Sequence, residues 1–239
     1  MLPIIKKTFF VLVLFLIAPI IVMTTNWQWQ PESLNAVSHY LFWLTETAGV
    51  PWALLTCLFF TLLFSLLLKV RSKIQIVKLI LVLVIAMVVG QLVKSAIKTY
   101  TAESRPFVLW IEAEYSIQDE YFYSLPRSER KEIIKEYIYQ SPKIPHWLYK
   151  HWCNETGYTF PSGHTLFAAT WAFLALMLLN FKRHYFVISI IIAWVILIEI
   201  SRLDLGMHRP IDLIVGAIIA WPVALLSYYL ARRWQIIKE

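Results

Sequence analysis

Six long apolar runs alternate with polar and charged segments along the chain. They comprise residues 9–23, 52–68, 79–93, 165–179, 186–200 and 211–230. A helix of about 20 apolar residues crosses the hydrocarbon core of a bilayer, and flanking residues can extend a shorter run. The pattern therefore predicts an all-α membrane protein with six transmembrane helices, in which residues 1–239 form a single membrane-embedded domain.

The first run has a second interpretation, because Lys6 and Lys7 precede it as basic residues precede the apolar core of a secretory signal peptide. The residues that follow, Met23-Thr24-Thr25-Asn26, contain no small-x-small cleavage site. We therefore expect the first run to be retained as a transmembrane helix.

Basic residues are distributed unevenly among the segments between the runs. They concentrate at the N-terminus, in the second–third and fourth–fifth links and in the C-terminal tail: Lys6, Lys7, Lys69, Arg71, Lys73, Lys78, Lys182, Arg183, Arg232, Arg233 and Lys238. Residues 24–51 contain no Lys or Arg. The positive-inside rule therefore predicts that both termini are cytoplasmic and that three loops lie on the opposite face.

The composition agrees with a membrane protein and bears on its partners. Hydrophobic residues make up 59% of the chain and charged residues 15%, with a net charge of +7. In a soluble protein this charge would suggest nucleic acid, but here the basic residues flank apolar runs and no nucleic-acid-binding motif is present. Anionic lipid headgroups explain the charge better, so we expect a lipid bilayer and no nucleic acid as partner.

The longest polar segment, about residues 94–162, is expected to form a small helical cap outside the membrane at about 99–160. Within it, residues 128–140 carry Ile133, Ile134, Tyr137 and Ile138 on one helical face. Trp147, Tyr149 and Trp152 form an aromatic group typical of the headgroup level. Two alternatives stay open, namely a cap that packs on itself and a lid that contacts lipid.

Three groups of polar residues stand at the span ends that are predicted to face the same side. They are Lys98 with Arg105-Pro106, then Pro161-Ser162-Gly163-His164, and finally Ser201-Arg202 with His208 and Asp212. Each has an ordinary explanation by itself, since basic side chains snorkel and a serine can begin a helix. Ionisable residues are costly near lipid, however, and three groups on one side suggest a shared function.

The cations and the predicted helix start favour binding of a phosphate. Lys98, Arg105 and Arg202 supply positive charge, and an arginine can present a fork of donors to phosphate oxygens. Ser162 and Gly163 begin a helix whose free N–H groups and dipole attract an anion. No HExxH motif or carboxylate cage is present, so we expect neither a metal nor another cofactor.

Two histidines and one carboxylate supply candidate catalytic groups beside that phosphate. His164 and His208 can act as nucleophile, acid or base near neutral pH. Asp212 follows His208 by four residues at a helix start marked by Pro210. Its carboxylate could fix the imidazole tautomer and stabilise the cationic ring, as in hydrolase triads.

Together these groups resemble the three-part signature of the type 2 phosphatidic acid phosphatase family. Matching patterns are Lys98-x6-Arg105-Pro106, Pro161-Ser162-Gly163-His164 and Ser201-Arg202-x5-His208-x3-Asp212, in the family's order and six-span layout. The resemblance implies that His208 attacks phosphorus to form a phosphohistidine, that Asp212 orients it and that His164 protonates the leaving oxygen. It implies that the phosphate is held by Lys98, Arg105, Ser162, Gly163 and Arg202.

Four further segments, residues 27–31, 42–47, 105–110 and 157–160, resemble a bacterial member of this family that acts on phosphatidylglycerol phosphate. The resemblance implies hydrolysis of that lipid, and also of phosphatidate, lysophosphatidate, diacylglycerol pyrophosphate and undecaprenyl pyrophosphate. It implies a bacterial inner membrane with the site facing the periplasm. The alternatives are a dedicated undecaprenyl pyrophosphate phosphatase, a lipid phosphotransferase, and a transporter of anionic lipid, which would not need a His208–Asp212 pair.

Overall fold

The computed structural model describes residues 2–237, and these residues form α-helices and no strand. The helices are α1 (Leu2–Thr24), α2 (Ala36–Glu46), α3 (Trp52–Leu67), α4 (Lys73–Thr101), α5 (Pro106–Tyr115), α6 (Asp119–Ser124), α7 (Arg127–Ile138), α8 (His146–Asn154), α9 (Gly163–Leu178), α10 (Phe181–Asp204) and α11 (Pro210–Arg233). The prediction of an all-α protein is confirmed.

Each of the six apolar runs lies largely within one helix, namely α1, α3, α4, α9, α10 or α11. By length and composition, four described segments could cross a membrane: Leu2–Thr24, Lys73–Tyr115, Phe181–Asp204 and Pro210–Arg233. The second of these comprises α4 and α5. Helices α3 and α9 are apolar but shorter, with 16 residues each.

Helix α9 lies at the centre of the bundle. Every residue from His164 to Leu178 is buried, and α1, α4, α10 and α11 pack around the helix. The approach of α11 is close, because a Cβ atom added to Gly216 would lie 2.9 Å from the carbonyl oxygen of Ser162. Only glycine fits there, so the start of α9 is fixed against α11.

Side-chain and backbone hydrogen bonds set where α9 and α11 begin. The Ser162 hydroxyl accepts a hydrogen bond from the backbone N–H of Thr165 at 3.3 Å, as an N-cap residue does. In α11, Pro210 occupies the first turn and the Asp212 carboxylate accepts from the backbone N–H of Arg209 at 2.8 Å. The Ser162 N–H also donates to the Asp212 carbonyl at 2.9 Å, which joins the two helix starts.

Helices α5 to α8 and residues from elsewhere in the chain form a second hydrophobic cluster, separate from the core around α9. Its buried members include Trp29, Phe107, Trp110, Phe122, Ile134, Trp152 and Met207. Trp152 is fully buried and Tyr149 nearly so, whereas Trp147 is partly exposed. Two of these three aromatic side chains are therefore packed inside the protein. The helix expected at 128–140 is α7, with Ile134 and Ile138 buried.

This second cluster holds the loop 205–209, which carries His208. Three hydrogen bonds from residues of the cluster reach the loop or its preceding residue: Trp29 Nε1 to the Asp204 carbonyl at 2.7 Å, Trp152 Nε1 to the Leu205 carbonyl at 3.0 Å and Phe107 N–H to the Gly206 carbonyl at 2.9 Å. Gly206 has a φ of +67° and lies against Trp29, where an added Cβ would be 2.7 Å from a ring carbon. The loop therefore has little freedom to move.

Candidate active site

The three polar groups meet at one cavity of about 900 Å³. Lys98, Arg105, Gly163, His164 and His208 line it. Ser162, Arg202 and Asp212 do not line it and are fully buried. Residues that are separated by more than a hundred positions in the sequence therefore form one site. Some of their side chains line the cavity, and the others are buried and do not line it.

His208 and Asp212 are joined through a third residue, Thr159. The Nδ1 atom of His208 lies 3.4 Å from Asp212 Oδ2, which is longer than a hydrogen bond, but only 3.0 Å from Thr159 Oγ1. The Thr159 hydroxyl donates to Asp212 Oδ2. Because its single hydrogen is used in that bond, it accepts from the Nδ1–H of His208. The Nε2 atom is then unprotonated and free to act as a nucleophile.

The environment of His208 favours the neutral imidazole. The side chain is 1% exposed, and burial lowers its pKa well below the ordinary value. The positive charges of Arg105, Arg202 and Lys98 lower this pKa further. A neutral ring is the form that can attack an electrophile, so the electrostatics and the tautomer agree.

Glu155 lies at the centre of the cationic groups, although the sequence analysis did not single it out. Its Oε2 atom is 2.8 Å from Arg202 Nη2 and 3.4 Å from Arg105 Nη2. Its Oε1 atom is 3.4 Å from Nε2 of His164. A carboxylate thus lies between the two arginines and His164.

Opposing effects act on the pKa of Glu155. Burial alone would raise it, but the charges of Arg202 and Arg105 and the neighbouring imidazoles of His164 and His151 lower it, and the net result is a pKa well below the ordinary value. Glu155 is therefore ionised at neutral pH. Its side chain keeps 22% exposure and lines the cavity, so it can be reached by a competing anion.

Lys98 and Arg105 also hold the backbone of residues 157–159. Lys98 Nζ donates to the carbonyl oxygens of Tyr158 at 2.6 Å and Thr159 at 3.1 Å. Arg105 Nε donates to the Gly157 carbonyl at 2.7 Å. Both cations therefore position the segment that contains Thr159, in addition to supplying charge.

The start of α9 is close to a further cation, Lys94. A Cβ atom added to Gly163 would lie 2.9 Å from Cδ and 3.6 Å from Nζ of Lys94, so a larger residue there would displace the end of the Lys94 side chain. Counting all its walls, the cavity is lined by six basic and two acidic residues: Lys94, Lys98, Arg105, Arg127, Arg130 and Lys150, against Glu46 and Glu155. Its charge favours an anionic ligand.

Another part of the same cavity is apolar. Its lining there comes from the start of α3, the residues before it, α4 and α9: Ala48, Val50, Ala53, Leu54, Cys57, Met87 and Phe167. Gly49 lies at the junction, where an added Cβ would be 3.1 Å from Nε2 of His164. The cavity can therefore accommodate a molecule with a charged end and an apolar end.

Sequence reasoning missed four residues that the structure places at the site: Lys94, Glu155, Thr159 and Gly49. A spacing signal existed only for Lys94, which precedes Lys98 by four residues and so lies on the same face of a helix. Thr159 lies within residues 157–160, which carry part of the resemblance, but nothing in that segment marks it individually. Glu155 and Gly49 belong to no spacing pattern.

Comparisons with known proteins identify relatives of this chain. The family model described as the PAP2 superfamily matches residues 76–236 of this chain. The chain is 41% identical over 220 residues to phosphatidylglycerophosphatase B of Escherichia coli strain K12, covering 92% of this chain and 86% of that protein. It is 39% identical over 215 residues to phosphatidylglycerophosphatase B of Haemophilus influenzae, covering 87% of this chain and 88% of that protein.

Proposed function

This chain belongs to the PAP2 superfamily and is a lipid phosphatase, and we propose that it hydrolyses phosphatidylglycerol phosphate to phosphatidylglycerol. The observation that carries the proposal is the two-part cavity. Its cationic part contains His208 and His164, and its apolar part can take an acyl chain. The relatives named above are themselves phosphatidylglycerophosphatases.

In the proposed reaction, Nε2 of His208 attacks phosphorus while the bond from phosphorus to the lipid oxygen breaks. His164 gives a proton to that oxygen, and the lipid alcohol leaves. Water then attacks the phosphohistidine, His164 takes a proton from the water, and inorganic phosphate is released. Lys98, Arg105, Arg202 and the N–H groups at Gly163 stabilise the charge on the phosphoryl oxygens.

Binding of a substrate phosphate requires Glu155 to leave its present partners. The phosphate would replace the carboxylate on Arg202 and Arg105, and both ligands are anions that prefer the same donors. In this scheme Glu155 keeps the buried Arg202 cation paired while the site is empty. An uncompensated buried charge would be costly to the fold.

Substrate breadth follows from how the cavity would hold the lipid chains. Apolar side chains form one of its walls, beside the charged groups and a few uncharged polar residues such as Gln91 and Ser95. Apolar contacts discriminate weakly, since one methylene is worth about 1–3 kcal/mol even in a fitted pocket. We therefore expect phosphatidate, lysophosphatidate, diacylglycerol pyrophosphate and undecaprenyl pyrophosphate to be hydrolysed at the same site.

The proposed architecture is one domain with six transmembrane helices in a bacterial inner membrane, and residues 99–160 form its periplasmic cap. Helix α3 supports the number of six transmembrane helices, because one of its faces exposes large apolar side chains: Leu54, Leu55, Leu58, Phe59, Leu62 and Leu66. Such a face is expected against lipid. Helix α9 needs no lipid-facing surface, since other helices surround it.

Cysteine labelling tests this orientation. After Cys57 and Cys153 are replaced by serine, a single cysteine is introduced at the exposed Tyr121 or at the exposed Ser72. A membrane-impermeant maleimide added to intact cells should label Tyr121→Cys and should label Ser72→Cys only after lysis. The reverse pattern would contradict the proposed orientation and the periplasmic site.

The proposed activity is tested with purified protein and a panel of lipid phosphates, by measuring released inorganic phosphate. Substrate labelled with ³²P at the terminal phosphate should transiently label the protein in an acid-labile, alkali-stable bond. His208→Asn should abolish that label. His146→Asn, a change at an exposed histidine of α8, should not.

The possible outcomes separate the alternatives. Release confined to undecaprenyl pyrophosphate would favour a dedicated phosphatase for that lipid. Label that moves into a second lipid and not into water-soluble phosphate would favour a phosphotransferase. The absence of phosphate release from every lipid in the panel would overturn the proposed function and leave transport as the remaining explanation.

A further inference from the structure

Arg202 is bound by a residue outside the family signature, His151 of α8, which also lines the cavity. The Nη1 atom of Arg202 lies 3.1 Å from His151 Nε2 and 3.4 Å from Thr45 Oγ1. Nη2 of Arg202 points instead to Glu155 at 2.8 Å. The two terminal nitrogens of the guanidinium therefore have different tasks, one facing His151 and the other facing the phosphate position.

The contact between Arg202 and His151 fixes the protonation of the imidazole. A guanidinium can only donate hydrogen bonds, so Nε2 of His151 must be the unprotonated nitrogen that accepts. The proton of the neutral ring is then on Nδ1, and this atom lies 3.0 Å from Oε1 of Glu46 in α2. A carboxylate beside an imidazole N–H holds one tautomer in place.

Both partners of this contact are buried. The side chain of His151 is 3% exposed, although it lines the cavity, and that of Arg202 is fully buried, so water has little access to Nη1 of Arg202. Phe42 packs edge-on against the His151 ring at 5.4 Å between centroids, which restricts its rotation. In the described part of the chain, Nε of Arg202 has no hydrogen-bond partner, and the guanidinium orientation depends on Nη1 and Nη2.

We propose that Glu46 and His151 are positioning residues for the proposed reaction, which fix the neutral His151 tautomer so that its Nε2 orients Arg202 toward the substrate phosphate. The inference rests on the proposed function, because it assigns Arg202 to the phosphate. Glu46 and His151 come from helices α2 and α8, which therefore contribute to a site whose signature lies elsewhere. Neither residue contacts the reacting atoms in this scheme.

The test compares variants that differ in one hydrogen-bond acceptor. His151→Phe keeps a ring of similar size and removes the acceptor, whereas His151→Gln keeps an amide oxygen that can accept from Arg202. Because a misplacement of about 1 Å can cost about 10²-fold in rate, we expect His151→Phe to lower kcat about 10²-fold with little change in KM. His151→Gln should retain most of the activity that His151→Phe loses.

A double-mutant cycle with Arg202→Ala separates positioning from a structural role. If His151 acts through Arg202, His151→Phe should lower kcat no further in the Arg202→Ala background. A residue needed only for folding would lower activity in both backgrounds. His146→Phe, in the same helix and exposed, is the matched control and should leave kcat unchanged.

Phosphatidylglycerol phosphate is the substrate for all variants, and elution as a single species from size-exclusion chromatography checks folding. Wild-type protein without activity on this lipid would overturn the proposed function itself. Active wild type, impaired Arg202→Ala and unimpaired His151→Phe would overturn only the positioning role. Equal loss in His151→Phe and His151→Gln would also contradict it, because the acceptor would then be irrelevant.

Discussion

Replacement of Thr159 by valine should slow the chemical step without weakening substrate binding. Valine has nearly the shape of threonine, and Thr159 is fully buried, so the packing is kept. The change removes an atom that lies within hydrogen-bond distance of both His208 Nδ1 and the Asp212 carboxylate. His208 would lose its link to Asp212 and with it the preference for the Nδ1–H tautomer.

The magnitude follows from the bonds that Thr159 makes. A hydrogen bond to a charged group contributes about 1.5–3 kcal/mol, and each 1.36 kcal/mol in the barrier changes a rate tenfold. Asp212 keeps a backbone hydrogen bond of 2.8 Å from Arg209, so it is not left without a partner. We therefore expect Thr159→Val to lower kcat by about ten- to a hundredfold. KM should change little, since Thr159 does not line the cavity.

Steady-state kinetics on phosphatidylglycerol phosphate measure both parameters. Thr159→Ser keeps the hydroxyl and should stay close to wild type. Thr170→Val removes another buried threonine hydroxyl, which binds only the Leu166 carbonyl, and serves as the matched control. A kcat for Thr159→Val equal to that of wild type would refute the linking role of this hydroxyl and imply direct contact between His208 and Asp212.

Further predictions concern the anion site, the acid, the nucleophile and metal dependence. Glu155→Gln removes a competing anion, so tungstate should bind more tightly in calorimetric titration; weaker binding would contradict the competition. His164→Ala should lower kcat about 10²–10⁴-fold on lipid substrates, but less on p-nitrophenyl phosphate, whose leaving group needs no proton. Burial and nearby cations lower the pKa of His208, so its neutral form persists as pH falls through the ordinary histidine value of about 6.5. The acid limb of kcat/KM assigned to this group should therefore lie well below pH 6.5, and a limb at that value would refute the assignment. Chelators should leave phosphate release intact; loss that one divalent ion restores would indicate a metal site.

The helices and the chemical signature were predictable because both depend on local spacing. Apolar runs indicate helices that face lipid or the protein core, and the residues within each of the three signature groups have fixed separations in the sequence. The end of α4 was not predicted: its apolar run stops at residue 93, whereas the helix continues to Thr101. The reason is that Lys94 and Lys98 line the cavity and need no contact with lipid, so the helix continues after its hydrophobicity ends.

The remaining site residues depend on contacts between distant segments, and no local pattern records these contacts. Thr159 meets His208 across 49 positions, and Glu155 meets Arg202 across 47. His151 resembles any single histidine of a polar loop until α2 and α8 are placed beside Arg202. An isolated acid or hydroxyl acquires its role from tertiary packing, which sequence spacing alone does not determine.

The complete burial of α9 has a consequence for how this protein can evolve. A helix that is in contact with neighbours on all sides has no face on which substitutions are harmless. A larger side chain in a densely packed interior commonly lowers the stability of the fold by about 1–3 kcal/mol. Ala168, Ala169, Ala172 and Ala175 are all fully buried along it. A saturation library should show low mutational tolerance around the entire circumference of α9, whereas α3 should tolerate apolar exchanges on its outer face. Because the start of α9 lies at the candidate active site, selection for activity thus constrains the residues along the whole helix.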